Sequence, residues 1–542
     1  MSTTTTGRDN GRFRRILLFF ALVILHIIWW DLLIKRIPFL GAYVLESRPS
    51  RWRRQATEFR GLAVELGGVL IKLGQFLSAR VDVLPLEITE ELQGLQDEVP
   101  PVPTWLIFET LRGELSNLNE RFAHIEETPL AAASLGQAHR AWFHPEGDEA
   151  EGRPVIIKVQ RPNIEAIVHT DLDALRIVAR WIMRYRPIRR RADVPALMDE
   201  FAKTLWEELD YVSEVDNAER FAEMFQDDAG IYIPAVYREH CTGRVIVLED
   251  VESIKITDLE TMQAEGIDPV EVADRFFDTY FRQIFRERFF HADPHPGNLF
   301  IRPREDIPWE AGDGSRPFVL IFIDFGMVGR VPAAVGDNLT KVLISVTQRD
   351  ARALTDAYKE LGFFLPGADF ERIIEAQETV LNRIWGRNLL ELARPDPQEV
   401  QELGQEFRDL LFDFPFQVPQ DFIYLGRALG MVSGLVSLLN PEINPWYLIE
   451  QYGQELITEQ LATKGTETIG ELARPYLEVP GRILRLLQAA ENGRLQVKSQ
   501  DRELHRRLER VEKRVNQLNW SILAAAGMVS AALLASRKRE EE

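Results

Sequence analysis

His291-Ala292-Asp293-Pro294-His295-Pro296-Gly297-Asn298 closes a long amphipathic segment, and Asp324-Phe325-Gly326 ends the apolar run from Phe318 to Ile323. Phosphoryl transfer asks little covalent chemistry of a protein but strict positioning: a carboxylate that aligns the acceptor, and ligands for the metal that neutralises phosphate charge. An Asp with an Asn five residues on, then a second Asp opening a DFG tripeptide, is a residue set that serves this purpose. Asp293 and Asn298 have that spacing, and Asp324 follows thirty-one residues after Asp293. A DFG tripeptide alone is almost worthless as evidence; the two motifs in this order are strong.

Upstream, Val155-Ile156-Ile157-Lys158 sets a lysine among β-branched residues in a strand predicted over 154–160. Burying an ammonium is costly unless it meets an anion. Taken alone, Lys158 reads as an edge-strand surface residue; in series with the two motifs it reads as a phosphate anchor. Where a kinase has its glycine-rich loop, this chain has Ala131-Ala132-Ala133-Ser134-Leu135-Gly136. Alanine restricts the backbone freedom and close phosphate approach that glycine allows, so nucleotide should be held differently here. Without its neighbours the same stretch would read as a plain helix start. Glu249 to Val251, just after a strand predicted over 244–248, stands where a hinge would offer backbone groups to adenine. The expectation is an α+β, bilobal protein-kinase-like fold that binds ATP or ADP with magnesium. Asp293 would be the catalytic carboxylate, and Asn298 and Asp324 the metal ligands.

Three further motifs carry a family resemblance: Lys72-Leu73-Gly74-Gln75, Glu208-Leu209-Asp210, and Glu214. With the Ala-rich loop and the acidic motifs, from about Arg51 to about Leu361, the chain resembles the UbiB-type atypical kinases. These are kinase-like proteins associated with ubiquinone and other isoprenoid-quinone biosynthesis. The resemblance implies a KxGQ motif at Lys72 and Gln75 in an N-terminal helical extension over the cleft, and an ExD motif at Glu208 and Asp210. It also implies that Glu214 pairs with Lys158, and that the activity is ATPase-like or directed at a small lipid-like molecule. Independently, Lys72 and Gln75 are three apart on one helix face, and Glu207, Glu208, Asp210 and Glu214 offer that lysine a destination. An isolated match of this kind would read as a solvated amphipathic helix. Lys158 and Glu214 are fifty-six residues apart, so a helical insertion must separate them, as the family has.

The rest of the chain sets the context. With 64 basic and 84 acidic residues, a net charge of −20 argues against a nucleic-acid partner. The single cysteine, Cys241, excludes an internal disulfide and reads as a small buried hydrophobe. Ile16 to Ile34 is apolar between basic flanks; His26 and Asp31 suit a helix lying at a membrane interface as well as one that spans. Trp520 to Ser536 carries no charge, is followed by Arg537-Lys538-Arg539, and is at the short limit for spanning. That basic flank favours a kinase-like domain on the cytoplasmic side of a membrane. Leu504, Leu508, Val511, Val515 and Leu518 form a short heptad pattern that admits a homodimer or packing on its own domain. The cluster Arg184, Arg186, Arg189, Arg190 and Arg191 could meet anionic headgroups or water.

The expected division is a membrane-interacting segment (1–50), a helical extension (51–115), an N-lobe with its insertion (116–255) and a C-lobe (256–400). A helical C-terminal region (401–500), a heptad helix (501–519) and a terminal membrane helix (520–536) follow. Expected partners are membrane lipids, lipid-like precursors and quinone-biosynthesis enzymes. Two other chemistries compete. A nucleotide-sensing scaffold would keep the site without turnover, and a metal hydrolase would use His291, Asp293 and His295 as ligands. An ordinary protein kinase is opposed by the Ala-rich loop and the KxGQ segment.

Overall fold

The computed structural model describes residues 9–464, apart from 38–39, 79–83, 97–98, 146–151, 185–188, 190–192, 252, 311–313, 389–390, 393–395, 409, 411–415, 417–418 and 420. The heptad segment, the apolar stretch 520–536, and Arg186, Arg190 and Arg191 therefore lie outside the described residues.

The architecture is mixed α and β. The first sheet runs β1 (Phe122–Ile125), β3 (Gly136–Phe143), β4 (Pro154–Gln160), β6 (Val245–Glu249), with the two-residue β2 (Ala131–Ala132) paired to β3. All its pairings are antiparallel. Successive side chains of a strand face opposite ways. In β4, Val155, Ile157 and Val159 are thus buried with Ile107 and Leu111 of the helix Thr104–Glu114, and Lys158 falls on the other face. Lys158 pairs with Ala138 on one side and Ile246 on the other, so it sits inside the sheet and not on an edge strand.

The second sheet has the order β5 (Ile231–Tyr232), β10 (Phe318–Phe322), β9 (Leu299–Pro303), β7 (Ile254–Lys255), beside a two-stranded pair of β8 (Phe289–His291) and β11 (Val328–Arg330). β9 and β10 pair antiparallel with Leu299 opposite Phe322, which brings Asn298 and Asp324 to the same end of the ladder. A large apolar core lies below, built on Phe276, Tyr280, Phe289, Phe290 and Phe322.

Several helices frame the cleft. We number them α1 (Asn10–Ile27), α2 (Arg48–Leu66), α3 (Val69–Ser78), α4 (Ile164–Ile182), α5 (Val194–Leu209), α6 (Tyr211–Met224), α7 (Pro269–Phe281) and α8 (Asp421–Leu439). The sequence pattern predicts one helix over 51–80. The chain instead turns a corner at Gly67–Gly68, where φ is 65° and 64°, a left-handed conformation that glycine adopts without steric penalty. Likewise the helical run 195–225 is two helices. Asp210 ends α5 and caps α6 by accepting from Ser213 N at 3.0 Å, which satisfies an otherwise unpaired helix donor.

α1 begins against the domain. Arg12 donates from Nε and Nη2 to the fully buried Asp171 of α4, both at 2.6 Å, and from Nη1 and Nη2 to the carbonyls of Leu66 and Gly67. Ile16 is buried with Phe59 and Ala63 of α2, whereas Leu18, Leu22, Leu25, Trp29 and Leu33 are exposed in one stripe. By length and composition, Asn10–Leu33 is a helix able to cross a membrane, with a mean hydropathy of 2.4 over an 18-residue window.

Candidate active site

The insertion predicted between Lys158 and Glu214 is α4 with α5, and it returns the chain so that α6 lies along the lysine strand. Lys158 Nζ donates to Glu214 Oε1 at 2.7 Å and Oε2 at 3.0 Å, and to Asp324 Oδ2 at 3.1 Å. Glu214 is buried; Asp324 is 44% exposed and opens into the cleft. Burial pushes the Glu214 carboxyl up to about 7, with Lys158 opposing the shift. Burial also acts on Asp324, but the ammonium of Lys158 outweighs it and holds that carboxylate down to about 2. Lys158 is likewise disfavoured by burial as a cation, yet its two carboxylates raise its pKa well above the ordinary lysine value. One buried ammonium between two carboxylates is an arrangement in which phosphate oxygens could take over part of the pairing.

The Asp293 loop is ordered from within. His291 is fully buried: Nε2 donates to the Asp324 carbonyl at 2.8 Å, and Nδ1 accepts from Asp293 N at 3.3 Å. Burial lowers its pKa, so the ring stays neutral, as this donor–acceptor pair requires. His295 Nδ1 accepts from Gly297 N at 3.1 Å, and Asn298 Nδ2 donates to the Asp293 carbonyl at 3.1 Å. Both ring nitrogens of His291 are thus engaged by backbone, and the H-x-D-x-H cluster is not assembled as a ligand set. Among the described residues no group of three or more His, Cys, Asp or Glu is placed to hold a metal. Asp324 itself has φ 62°, a sparsely populated conformation for a non-glycine residue and one found at functional sites.

Lys72 Nζ, on α3, donates to Glu208 Oε1 at 2.7 Å. Gln75 shares that helix but not that destination: its Nε2 donates to the Leu95 carbonyl at 3.2 Å. Gly74 between them lets α3 approach closely, since a Cβ there would stand 2.2 Å from Leu95 Cδ1. Asp210 does not meet Lys72 and serves as the cap described above. The Ala-rich segment is a strand and turn, not a helix start. Ala131 pairs with Ala138, Ala132 with Gln137, and Ala133 N donates to the Gly136 carbonyl at 2.9 Å. Ser134 is buried at its tip, and Arg161 Nε holds the Ala133 carbonyl at 3.0 Å. Glu249 accepts from Tyr232 Oη at 2.8 and 2.7 Å and from Ala235 N at 3.0 Å, so its side chain braces the connection while Val251 stays partly exposed.

One residue at this site escaped sequence reasoning. Arg427 of α8 donates from Nη2 to Asp293 Oδ1 at 2.9 Å. The signal was present, because Arg427 is the lone basic residue of a largely apolar helix, DFIYLGRALGMVSGLVSLL, and a cation in such company needs a partner.

Comparison with known proteins fits this geometry. Residues 94–358 match the ABC1 atypical kinase-like domain. The chain is 34% identical over 390 residues to an uncharacterized protein of Synechocystis, covering 72% of this chain and 64% of that one. It is 31% identical to the chloroplastic protein ACTIVITY OF BC1 COMPLEX KINASE 7 of Arabidopsis thaliana, over 83% of this chain and 62% of the relative. This chain thus spans less than two thirds of the length of those two relatives. A probable protein kinase UbiB of Pseudomonas paraeruginosa is 31% identical over 80% of this chain and 78% of its own length.

Proposed function

Because this chain belongs to the ABC1/UbiB family of atypical kinase-like proteins, we propose that it binds ATP and magnesium in the cleft between its two sheets. There it hydrolyses the nucleotide or phosphorylates a small lipid-like acceptor at a membrane surface, in support of isoprenoid-quinone biosynthesis. The observation that carries this reading is the Lys158 ammonium held between Glu214 and Asp324, on the strand face turned away from the N-lobe core.

The donors present fit magnesium: an amide oxygen on Asn298 and a carboxylate on Asp324 are hard oxygen ligands at one end of a strand pair. Bound magnesium would neutralise the charge of the nucleotide's phosphates. The chain's own groups do the rest. Lys158, positioned by Glu214, contacts phosphate oxygens. The Asp293 carboxylate aligns the attacking hydroxyl or water and accepts its proton, while neutral His291 links the Asp293 backbone N–H to the Asp324 carbonyl. The Ala131–Ser134 turn covers the phosphates with a stiffer backbone than glycine would give. The backbone from Glu249 to Val251 meets the adenine.

The Lys72–Glu208 bridge belongs to the helical extension that the family resemblance sets over the cleft, which supports a small acceptor over a peptide. The exposed stripe of α1 supports membrane contact. Its start is bonded to Asp171, and Asp31 near its end lies 3.6 and 3.7 Å from Arg48 and Arg51, so we place the helix along the interface with its other face on the protein.

The test is ATP consumption by the purified full chain, with and without liposomes carrying a quinone-precursor-like phenol, beside Asp324→Ala. Lipid-stimulated turnover that vanishes in the variant supports the reading. Magnesium-dependent nucleotide binding without turnover would move it to a nucleotide-sensing scaffold, for which the Lys72–Glu208 bridge is the favouring observation.

A further inference from the structure

We infer that Arg427 is the cation that acts on the transferring phosphoryl group, delivered in cis by α8 from outside the matched family domain. This deepens the nucleotide reading above and rests on it.

The loop from Asp293 to Asn298 contains no lysine or arginine, and its only side-chain base, His295, spends Nδ1 on Gly297 N. Lys158 bonds Glu214 and Asp324 and is assigned above to the nucleotide's phosphates, not to the acceptor side, and Lys72 bonds Glu208. Among the described residues, the acceptor side of the site would therefore face a highly charged γ-phosphate with no side-chain cation of its own, were it not for Arg427.

Arg427 is equipped for the task. A guanidinium has five N–H donors in a planar fork suited to phosphate oxygens. In this structure Nη2 meets Asp293 Oδ1 at 2.9 Å, and among the described residues Nη1 meets only the thioether of Met327 at 3.8 Å. The side chain is 35% exposed, open to the cleft beside a carboxylate that is 23% exposed.

The helix that presents it is firmly held. Leu425, Ala428, Val432, Leu435 and Val436 are buried in the C-lobe core. One turn before Arg427, Tyr424 Oη lies 2.9 Å from Thr204 Oγ1 and 3.2 Å from Glu207 Oε2, on the helix that carries Glu208. A guanidinium on so fixed a base changes partner by side-chain rotation alone, from Asp293 to the γ-phosphoryl oxygens. In the step it serves, the acceptor oxygen forms its bond to the γ-phosphorus. The bond from that phosphorus to the bridging oxygen breaks, its electron pair leaving with ADP. The acceptor's proton goes to Asp293, and Arg427 stabilises charge on the equatorial oxygens throughout.

The experiment compares the full chain with Arg427→Met and Arg427→Lys, each first shown to keep the wild-type Tm within a few degrees. Turnover of magnesium–ATP, ADP affinity, and affinity for ADP with aluminium fluoride are measured. Arg427→Met should lose about 100- to 1,000-fold in kcat, with ADP affinity changed less than about 3-fold, and Arg427→Lys should fall between. Added guanidinium ion should restore part of the Arg427→Met turnover, which a purely structural role would not allow. Unchanged or raised turnover in Arg427→Met would overturn the inference and make the Asp293 contact a resting lock. Were the wild type itself inactive, the ATPase reading would fail, while Arg427 would still be judged. Loss of the extra affinity for ADP with aluminium fluoride in Arg427→Met supports it, and equal affinity overturns it.

Discussion

Asp324 Oδ2 lies 3.1 Å from Lys158 Nζ, which ties the DFG segment of one lobe to the central strand of the other. Since Glu214 shares the same ammonium, the cleft is spanned by a three-membered group that carries one net negative charge when Glu214 is ionised. Binding of an anionic nucleotide must rearrange it.

Glu214 gives that group a pH dependence. Its carboxyl sits at about 7 in the fold against an ordinary 4.5, chiefly through burial. Between those values the folded chain binds the additional proton, so the contribution to stability is full below about 4.5 and is lost as the pH rises through 7. In urea unfolding of the detergent-solubilised chain, wild type should lose on the order of 2 kcal/mol more than Glu214→Gln between pH 5 and pH 8. Parallel pH profiles for the two proteins would contradict the buried-carboxyl assignment.

Asp293→Asn keeps the shape of the loop but removes the proton acceptor. ATP turnover should fall at least about 100-fold, while nucleotide affinity by equilibrium binding stays close to wild type. Unchanged turnover would remove Asp293 from its assigned role.

Lys72 and Glu208 are 25% and 15% exposed, so their bridge contributes modestly to stability. Lys72→Ala should cost about 0.5–1 kcal/mol and speed nucleotide entry, read as the association rate of a fluorescent ADP. A large stability loss with an unaltered rate would make the bridge a fastener and not a gate.

Gly74→Ala places a Cβ 2.2 Å from Leu95 Cδ1 and should destabilise by about 1–3 kcal/mol. Shortening the obstacle with Leu95→Ala in the same chain should recover part of the shift in urea midpoint; no recovery would place the strain elsewhere.

Asp171→Ala strands the Arg12 guanidinium against two carbonyls, and breaking so buried a pair should cost about 3–5 kcal/mol in unfolding free energy. The Arg12→Leu, Asp171→Leu double variant should be far less destabilised than either single change; additive losses would argue against a direct pair.

Much of this was open to sequence reasoning, for identifiable reasons. Strand composition and motif order point to Lys158, Asp293, Asn298 and Asp324, the family resemblance points to Glu214, and the structure brings Lys158, Glu214 and Asp324 into direct contact. Composition alone could not locate the corner at Gly67–Gly68, because glycine inside an apolar period reads equally as a tolerated helical residue. Asp210 stands two residues from Glu208 and reads with it as a partner for Lys72, yet a carboxylate that can cap a helix is drawn to the nearest free N–H. The contacts Arg427–Asp293 and Arg12–Asp171 join residues more than a hundred positions apart, and only tertiary packing chooses such partners.

The corner at Gly67–Gly68 makes α3 a short lever. Arg12 grips the carbonyls of Leu66 and Gly67, so the pivot is anchored, while Lys72 stands four residues beyond it, about 6 Å along the helix axis. A tilt of roughly ten degrees at the two glycines would carry the ammonium about 1 Å, enough to turn a 2.7 Å ion pair into a loose one. The length of that ion pair is thereby geared to the backbone torsions of two residues that take no part in it.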